Sequence, residues 1–528
     1  MKRYLALTLA LCLLLTMLPG CGKSDEKEAY VPTGDALLME GQDPEDLMAE
    51  EEEPQNLTLA YNPGRSMNPL IGYSYNNRVL FSLMYQGLFA FDNSGSTYPI
   101  LCSGYQVSSD NRTWTFYVEP RATFSDGSTL TLEDVYASYQ AAKESDYYKG
   151  RFQYYVDSFE IQNGAIVFYL TSPFENFPLL LDIPIVKAQD VDADYPRGTG
   201  PYELAEGLSG KYLRRRIDWW CTANVPATGE TISLVEADTD AQIRDEFEFN
   251  DVGVVCTNPL SDNYADYRCD YELWDVDSGM FLYLGCNVLY SDYFEDGTLR
   301  KVLTYAIDRD TIIDRYYHGH AQKATLCTPP SSIHYSKSLA SKYEFDSMKF
   351  IDAISSWNIP KDKDNPDRKL RLLVNCDDSA RLRTARYIAD ALTEFGIPTG
   401  TLEYGTTTNP TYETVLRANT FDIYLGQTRL SPNMDLSEFF RLWGNLSWGG
   451  IPNDSILSLC KEALANSGNY YNLMQLIADD GRIIPILFGT YAIYAERGLL
   501  PDLNPARDNV FFYTLDKTME SVLIDSQP

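Results

Sequence analysis

Leu370-Arg371-Leu372-Leu373-Val374, Leu402-Glu403-Tyr404 and Phe421-Asp422-Ile423-Tyr424-Leu425 are three short apolar runs separated by helical spacing. Between the first two, Leu382, Ala385, Ala389 and Leu392 recur three and four apart. That spacing buries one face of a helix, which Gly396 and Pro398 close. A shorter helix around 412–418 precedes the third run. Strand–helix–strand alternation calls for parallel strands with right-handed crossovers, so this region is α/β. Upstream, Leu299, Val302, Leu303, Ala306 and Ile307 predict another amphipathic helix. Downstream, apolar strands at 483–488 and 492–495 and the aromatic run 510–513 lack local partners. They are expected to return to a sheet begun at Leu57-Thr58-Leu59-Ala60-Tyr61.

Residues 112–170 read as hairpins. Trp114, Phe116 and Val118 alternate with polar neighbours, as in a half-buried strand. Asp126-Gly127 marks a turn. Thr131 and Asp134 have capping-box spacing and open a helix to about Lys143. Asn163-Gly164 between two apolar runs is a strong hairpin signal.

The N-terminus sets the compartment. Lys2-Arg3, an apolar run from Tyr4 to Leu18 and Leu18-Pro19-Gly20-Cys21 form an export signal. The pattern resembles a bacterial lipobox, which makes 1–20 the signal peptide and Cys21 the lipidated first residue. This implies an extracytoplasmic protein held at the cell membrane by lipid on Cys21. Residues 23–56 carry twelve acids against Lys23 and Lys27, low-hydrophobicity composition that predicts a disordered acidic tether over 21–56. No later run reaches the ~18 apolar residues of a membrane span. About 508 residues follow the cut, enough for two or three domains.

A net charge of −32 repels phosphate backbones and argues against nucleic-acid binding. Eight cysteines lie beyond Cys21, scattered without a Cys-x-x-Cys pair. Most read as buried apolar side chains, with one or two disulfides left open by the exported setting. Catalytic signals are sparse. Histidines number three, and His318-Gly319-His320 has no accompanying ligand cluster. Asp190-x-Asp192-x-Asp194 lacks the glycine and acidic twelfth residue of a calcium loop. Gly198-Thr199-Gly200-Pro201-Tyr202 is interrupted by proline and does not read as a dinucleotide loop. No cofactor, metal or catalytic residue is therefore expected. Tyrosine, at 39 residues, supplies contact area with a polar handle, which suits ligand recognition.

Six segments occur in an order that resembles the family 5 solute-binding proteins, the dipeptide- and oligopeptide-binding lipoproteins of ABC importers. They are Met67-Asn68-Pro69-Leu70, Met84-Tyr85-Gln86-Gly87-Leu88-Phe89, Trp114-Thr115-Phe116, the run from Phe124 to Val135, Gly198-Thr199-Gly200-Pro201-Tyr202, and the run from Leu299 to Arg309. The resemblance implies an α/β, two-lobed periplasmic-binding-protein-like fold of class II, cluster C type, with an extra small domain. Lobe I would combine 57–80, 171–285 and 490–528. Residues 81–170 would form the inserted domain and 286–489 lobe II. A peptide or related small solute would bind between lobes that close by hinge motion, for delivery to permease subunits by a monomer. Ligand contacts would come from Ile71, Gly72, Tyr73 and Ser74 and from Gly426, Gln427 and Thr428. The family's peptide binders often read Gly-Trp-x-x-Asp at this second site. Here Gln427 replaces the tryptophan and Leu430 the amine-binding aspartate. Arg429 is then expected to hold an acidic group, with Asp435 orienting it or taking a more distant amine. The alternatives are Arg429 paired with Asp435 or Glu438, a non-peptide solute such as a metal chelate, and a surface-tethered hydrolase acting through carboxylates.

Overall fold

The computed structural model describes residues 57–524 apart from 73, 228, 261–266, 268 and 361–366. The signal peptide, Cys21 and the acidic tether lie outside the described residues. The strands, in chain order, are β1 (Thr58–Tyr61), β2 (Phe89–Phe91), β3 (Thr97–Pro99), β4 (Cys102–Val107), β5 (Thr113–Val118), β6 (Val156–Gln162), β7 (Ala165–Leu170), β8 (Tyr202–Gly207) and β9 (Gly210–Arg215). They continue with β10 (Thr231–Glu236), β11 (Val254–Thr257), β12 (Tyr271–Cys286), β13 (Ala321–Lys323), β14 (Leu370–Asn375), β15 (Thr399–Tyr404), β16 (Ile423–Arg429) and β17 (Ile483–Glu496).

The main sheet runs β15-β14-β16-β12-β17-β11-β1-β10-β9-β8, with β13 beside β17. As the alternation required, β14 is parallel to β15 and β16. A second parallel set, β11-β1-β10, lies on the far side. Two long antiparallel strands, β12 and β17, join the sets. The late apolar segments do return to the sheet begun at β1, but as one 14-residue strand. Residues 510–513 form no strand; Val510, Phe511, Phe512 and Tyr513 fill the core under β1 instead.

Alternating side chains fill two cores. Leu282, Leu284, Ile423 and Leu425 meet Ala385, Ile388 and Leu392 of the helix Ser379–Glu394 on one face. Phe281, Tyr283, Tyr424 and Phe488 meet Phe439, Cys460 and Leu473 on the other. Burial on both faces explains why Leu372, Leu373 and Val374 of β14 form a continuous apolar run.

The expected helix over 299–307 is broken. An α-helix covers Thr298–Val302, a tighter 3₁₀ turn covers Leu303–Ala306, and a new helix starts at Arg309, capped by the Asp308 side chain. The cause is Arg309, 1 % exposed. Its guanidinium donates to the carbonyls of Thr304 and Ile307, so these oxygens serve an inserted side chain.

A four-stranded antiparallel sheet, β4-β5-β7-β6, covers the region read as hairpins. Asn163 and Gly164 turn β6 into β7 with φ of 51° and 78°, the left-handed pair that a tight hairpin needs. The helix Leu132–Glu144 opens with the expected capping box, Thr131 N–H donating to Asp134 at 2.8 Å. Thr131→Ala should cost about 1 kcal/mol, read as a lower urea midpoint. An unchanged midpoint would show that tertiary packing alone fixes this helix start.

The Gly198–Gly200 segment has a packing role. A Cβ on Gly198 or Gly200 would lie 2.1 or 2.4 Å from the Met84 or Leu83 carbonyl oxygen, so only glycine lets this loop pass the end of the helix Tyr75–Met84. All eight cysteines after Cys21 are free thiols, five of them buried. Burial pushes the Cys102 thiol up to about 12, which suppresses thiolate chemistry. Among the described residues no helix is long and apolar enough to cross a membrane. Among them, too, no cluster of His, Cys, Asp and Glu is placed to hold a metal. His320 Nδ1 instead meets Asp275 at 2.7 Å.

Candidate functional site

In open α/β sheets, ligands settle outside the carboxyl ends of parallel strands. Here the carboxyl ends of β14 and β16, from one parallel set, and of β11, from the other, reach one cavity of about 560 Å³. From β14 the chain passes Asp377, Asp378 and Ser379 into the helix Ser379–Glu394, whose N-terminus Asp378 caps. These residues and Gln427 of β16 line the cavity from one side, and Tyr75, Asn258 and Leu260 line it from the other. Its floor is the crossing pair, with Met280 and Leu282 of β12 and Gly489 and Thr490 of β17. The helix N-terminus adds positive potential at one wall. Thr406 N–H, donating to the Asp377 carboxylate, holds that group below the usual range and therefore ionised.

The expected contact residues divide into groups. Gln427 lines the cavity, and so does Tyr75, which directly follows the 71–74 loop. Ile71 is 63 % exposed, and Gly72 donates to the Asn68 carbonyl at 2.7 Å. A Cβ on Gly72 would lie 2.4 Å from Ser66 O, so this glycine is required by packing. Ser74 precedes the helix Tyr75–Met84 without a side-chain cap bond. Tyr73 lies outside the described residues. Gly426 is covered by the ring of Tyr283, its partner across β12, which leaves 2.4 Å for a Cβ. Thr428 pairs with Phe281 and is partly buried.

Arg429 is not placed as expected. The carboxylate that holds it is Asp508, at 3.0 Å, while its Nε donates to Ser278 O at 3.0 Å. Asp435, expected to orient it, accepts instead from Tyr155 at 2.8 Å and from the Ser437 backbone and hydroxyl. The turn from Arg429 carries Asp435 away, and Glu438 pairs with Arg441. Asp508, at φ 63°, also takes Arg78 at 2.8 Å and the Tyr147 hydroxyl at 2.6 Å, with Arg151 at 4.0 Å. Arg151 pairs with Asp182, and Arg507 with Asp277. Both Arg78 and Arg429 lie over the Tyr147 ring, 3.9 and 4.6 Å from its centre. Burial alone would raise the Asp508 carboxyl pKa. The guanidiniums of Arg429 and Arg78 and the Tyr147 hydrogen bond outweigh it, holding the group well below the carboxylate range. Burial pulls Arg151 below its ordinary value.

The sequence reading missed Arg78, Tyr147, Arg151 and Asp508. Arg78 left one signal, since it sits in the helix Tyr75–Met84, where nine of ten residues are buried, and a buried guanidinium needs partners.

The sheet and its cavity have the mixed α/β fold of the periplasmic solute-binding proteins. The structure superposes on a putative peptide-binding protein AppA from Clostridium difficile with a TM-score of 0.68, at 16 % identity, over 86 % of this chain and 98 % of that one. It superposes on a nickel ABC transporter protein from Bacillus halodurans with a TM-score of 0.70, at 16 % identity, over 87 % and 98 %. Residues 96–450 match the family described as bacterial extracellular solute-binding proteins, family 5 Middle. The chain belongs to that family. A curated relative, the glutathione-binding protein GsiB of Salmonella typhi, is 25 % identical over 294 residues, 51 % of this chain and 55 % of its own. The chain thus spans about half the length of the curated relatives it matches.

Proposed function

We propose that the chain is the extracytoplasmic, lipid-anchored binding protein of an ABC importer, non-enzymatic, capturing a peptide or related small solute and passing it to membrane permease subunits. The observation that carries this reading is the cavity at the carboxyl ends of β11, β14 and β16, lined by both Tyr75 and Gln427. Residues 57–80, 171–285 and 490–528 form lobe I, 81–170 the inserted domain and 286–489 lobe II. The paired crossing strands are the hinge, and ligand shifts the population toward the closed form by binding it more tightly. Gly426 to Thr428, beyond the last residue of β16 paired with β14, offer backbone to an extended ligand, as an added strand would. Leu430, 4 % exposed, offers nothing to a free α-amine, which favours ligands with a blocked amine.

A thermal-shift screen against peptide pools tests the reading. A ligand at a hundred times its Kd adds about 2.7 kcal/mol to the native state. Gln427→Ala should then weaken that ligand roughly tenfold or more, the worth of one buried hydrogen bond. Saturable turnover of peptide or glycan substrates would overturn the non-enzymatic reading.

The anchor has its own test. Cys21→Ser should move the protein from the membrane fraction to the soluble one, because an acyl anchor supplies the attachment. Retention on membranes would exclude lipid on Cys21 as the tether.

A further inference from the structure

The charged side chains around the strand-end cavity are of one sign. Asp377 and Asp378 line it, and among the described residues no lysine, arginine or histidine does. Its remaining polar side chains are neutral, Asn258 and Gln427 among them, while Met280, Leu282 and Leu487 supply apolar wall. At about 560 Å³ the space is of the size that holds small solutes.

Both carboxylates can be reached, Asp377 being exposed and Asp378 half-buried. Asp377 accepts from Thr406 N–H at 2.7 Å, which keeps it ionised. Asp378 accepts from Arg381 N–H at 3.0 Å as the cap of the helix Ser379–Glu394. The Arg381 guanidinium acts on Asp377 only through space, more weakly than the Thr406 bonds, and does not line the cavity. The helix N-terminus contributes roughly half a positive charge against two full negative ones, so this wall is net negative. Arg429, at the end of β16, is held by Asp508 and lies outside the lining. An anionic solute would therefore meet repulsion and no counter-charge.

We propose, on the binding-protein reading of this cavity, that its ligand is an organic cation. Asp377 and Asp378 receive a guanidinium or ammonium group, at the end of β14 rather than at Leu430. An aliphatic stem runs along Met280, Leu282 and Leu487, and a neutral hydrogen-bonding end meets Gln427 or Asn258. Hydrogen bonds to an ionised carboxylate are about twice as strong as neutral ones, so the site sorts solutes by charge.

The probe is N-acetylputrescine, an ammonium on a short alkyl stem with a neutral acetamide at its other end. N-butylacetamide lacks the charge and N-acetyl-4-aminobutanoate reverses it. Titration calorimetry on the purified protein should show saturable binding of the probe, and both controls should bind about tenfold more weakly or worse. Asp377→Asn and Asp378→Asn retain the acceptors for Thr406 and the helix cap, so both should fold, and each should weaken the probe about fivefold or more. Asp157→Asn removes the same charge from the exposed edge strand β6 and should leave the affinity unchanged. A control that binds as well as the probe, or probe affinity indifferent to Asp377→Asn and Asp378→Asn, overturns the cation class. Equal weakening by Asp157→Asn would reduce the effect to the protein's net charge and also overturn it. So would a probe that does not bind at tens of millimolar. In that case, another solute that binds and is weakened by Gln427→Ala would leave the binding-protein reading standing, whereas no binding by any solute would remove both.

Discussion

Replacing Arg309 by methionine should lower stability to urea by about 3–5 kcal/mol. Its Nε donates to the carbonyls of Ala324 at 2.8 Å and Pro485 at 2.9 Å, and its other nitrogens reach Thr304 O, Ile307 O and the Thr304 hydroxyl. Burial lowers its pKa to about 10, so it stays charged at neutral pH without any carboxylate in hydrogen-bond contact. Methionine would recover about 1.5–3 kcal/mol of apolar burial. Against that, four carbonyls lose a donor, at about 1–3 kcal/mol for each one left buried and unpaired. The loss wins unless water refills the site. Arg309→Lys, with three donors, should fall between the two proteins. A methionine variant within about 1 kcal/mol of the parent would show that these carbonyls find other partners and that the broken helix at 303–308 does not depend on the guanidinium.

Asp508→Asn should cost a similar amount, about 3–5 kcal/mol, because removing one partner leaves the other charges buried. The affected groups are Arg78 and Arg429, both within 3.0 Å of the carboxylate. The pH dependence gives a second readout. Asp508 has a folded pKa held below its unfolded value, so its stabilisation is complete above about pH 4 and is lost as pH falls further. The parent should therefore lose more stability between pH 5 and pH 2 than Asp508→Asn does. Parallel acid profiles for the two proteins would remove Asp508 from that role. The variant also frees Arg429, so ligand affinity should change with it if the guanidinium faces bound solute.

Local periodicity made β14, β15, β16 and the helix Ser379–Glu394 legible, since each buries a regular set of side chains. It failed where one side chain reorganises the backbone. Leu299, Val302, Leu303, Ala306 and Ile307 have helical spacing, yet Arg309 draws the last turn out of the α ladder. Apolar runs also mark burial without marking conformation. Residues 510–513 are core in irregular backbone, and 483–496 are one strand although Gly489 and Thr490 interrupt the run. Of the residues expected on β16, Gln427 lines the cavity. The charge pairing of Arg429 was not legible, because Asp435 is six positions from it and Asp508 is seventy-nine. Proximity in sequence favoured the wrong carboxylate, and with 75 acids in the chain nothing local selects the right one.

The strand order also sets an order of events in time. Val254 of β11 pairs with Ala495 of β17, and Leu273 of β12 with Tyr494, so both strands wait for partners made more than 200 residues later. Loop-closure entropy must be met before such contacts return anything, which makes folding slow. During that interval the β11 edge stands open to a strand from another molecule. The C-terminal forty residues, including β17's last turns of pairing and the 506–513 core segment, are thus the step that commits the base of the sheet to its native partners.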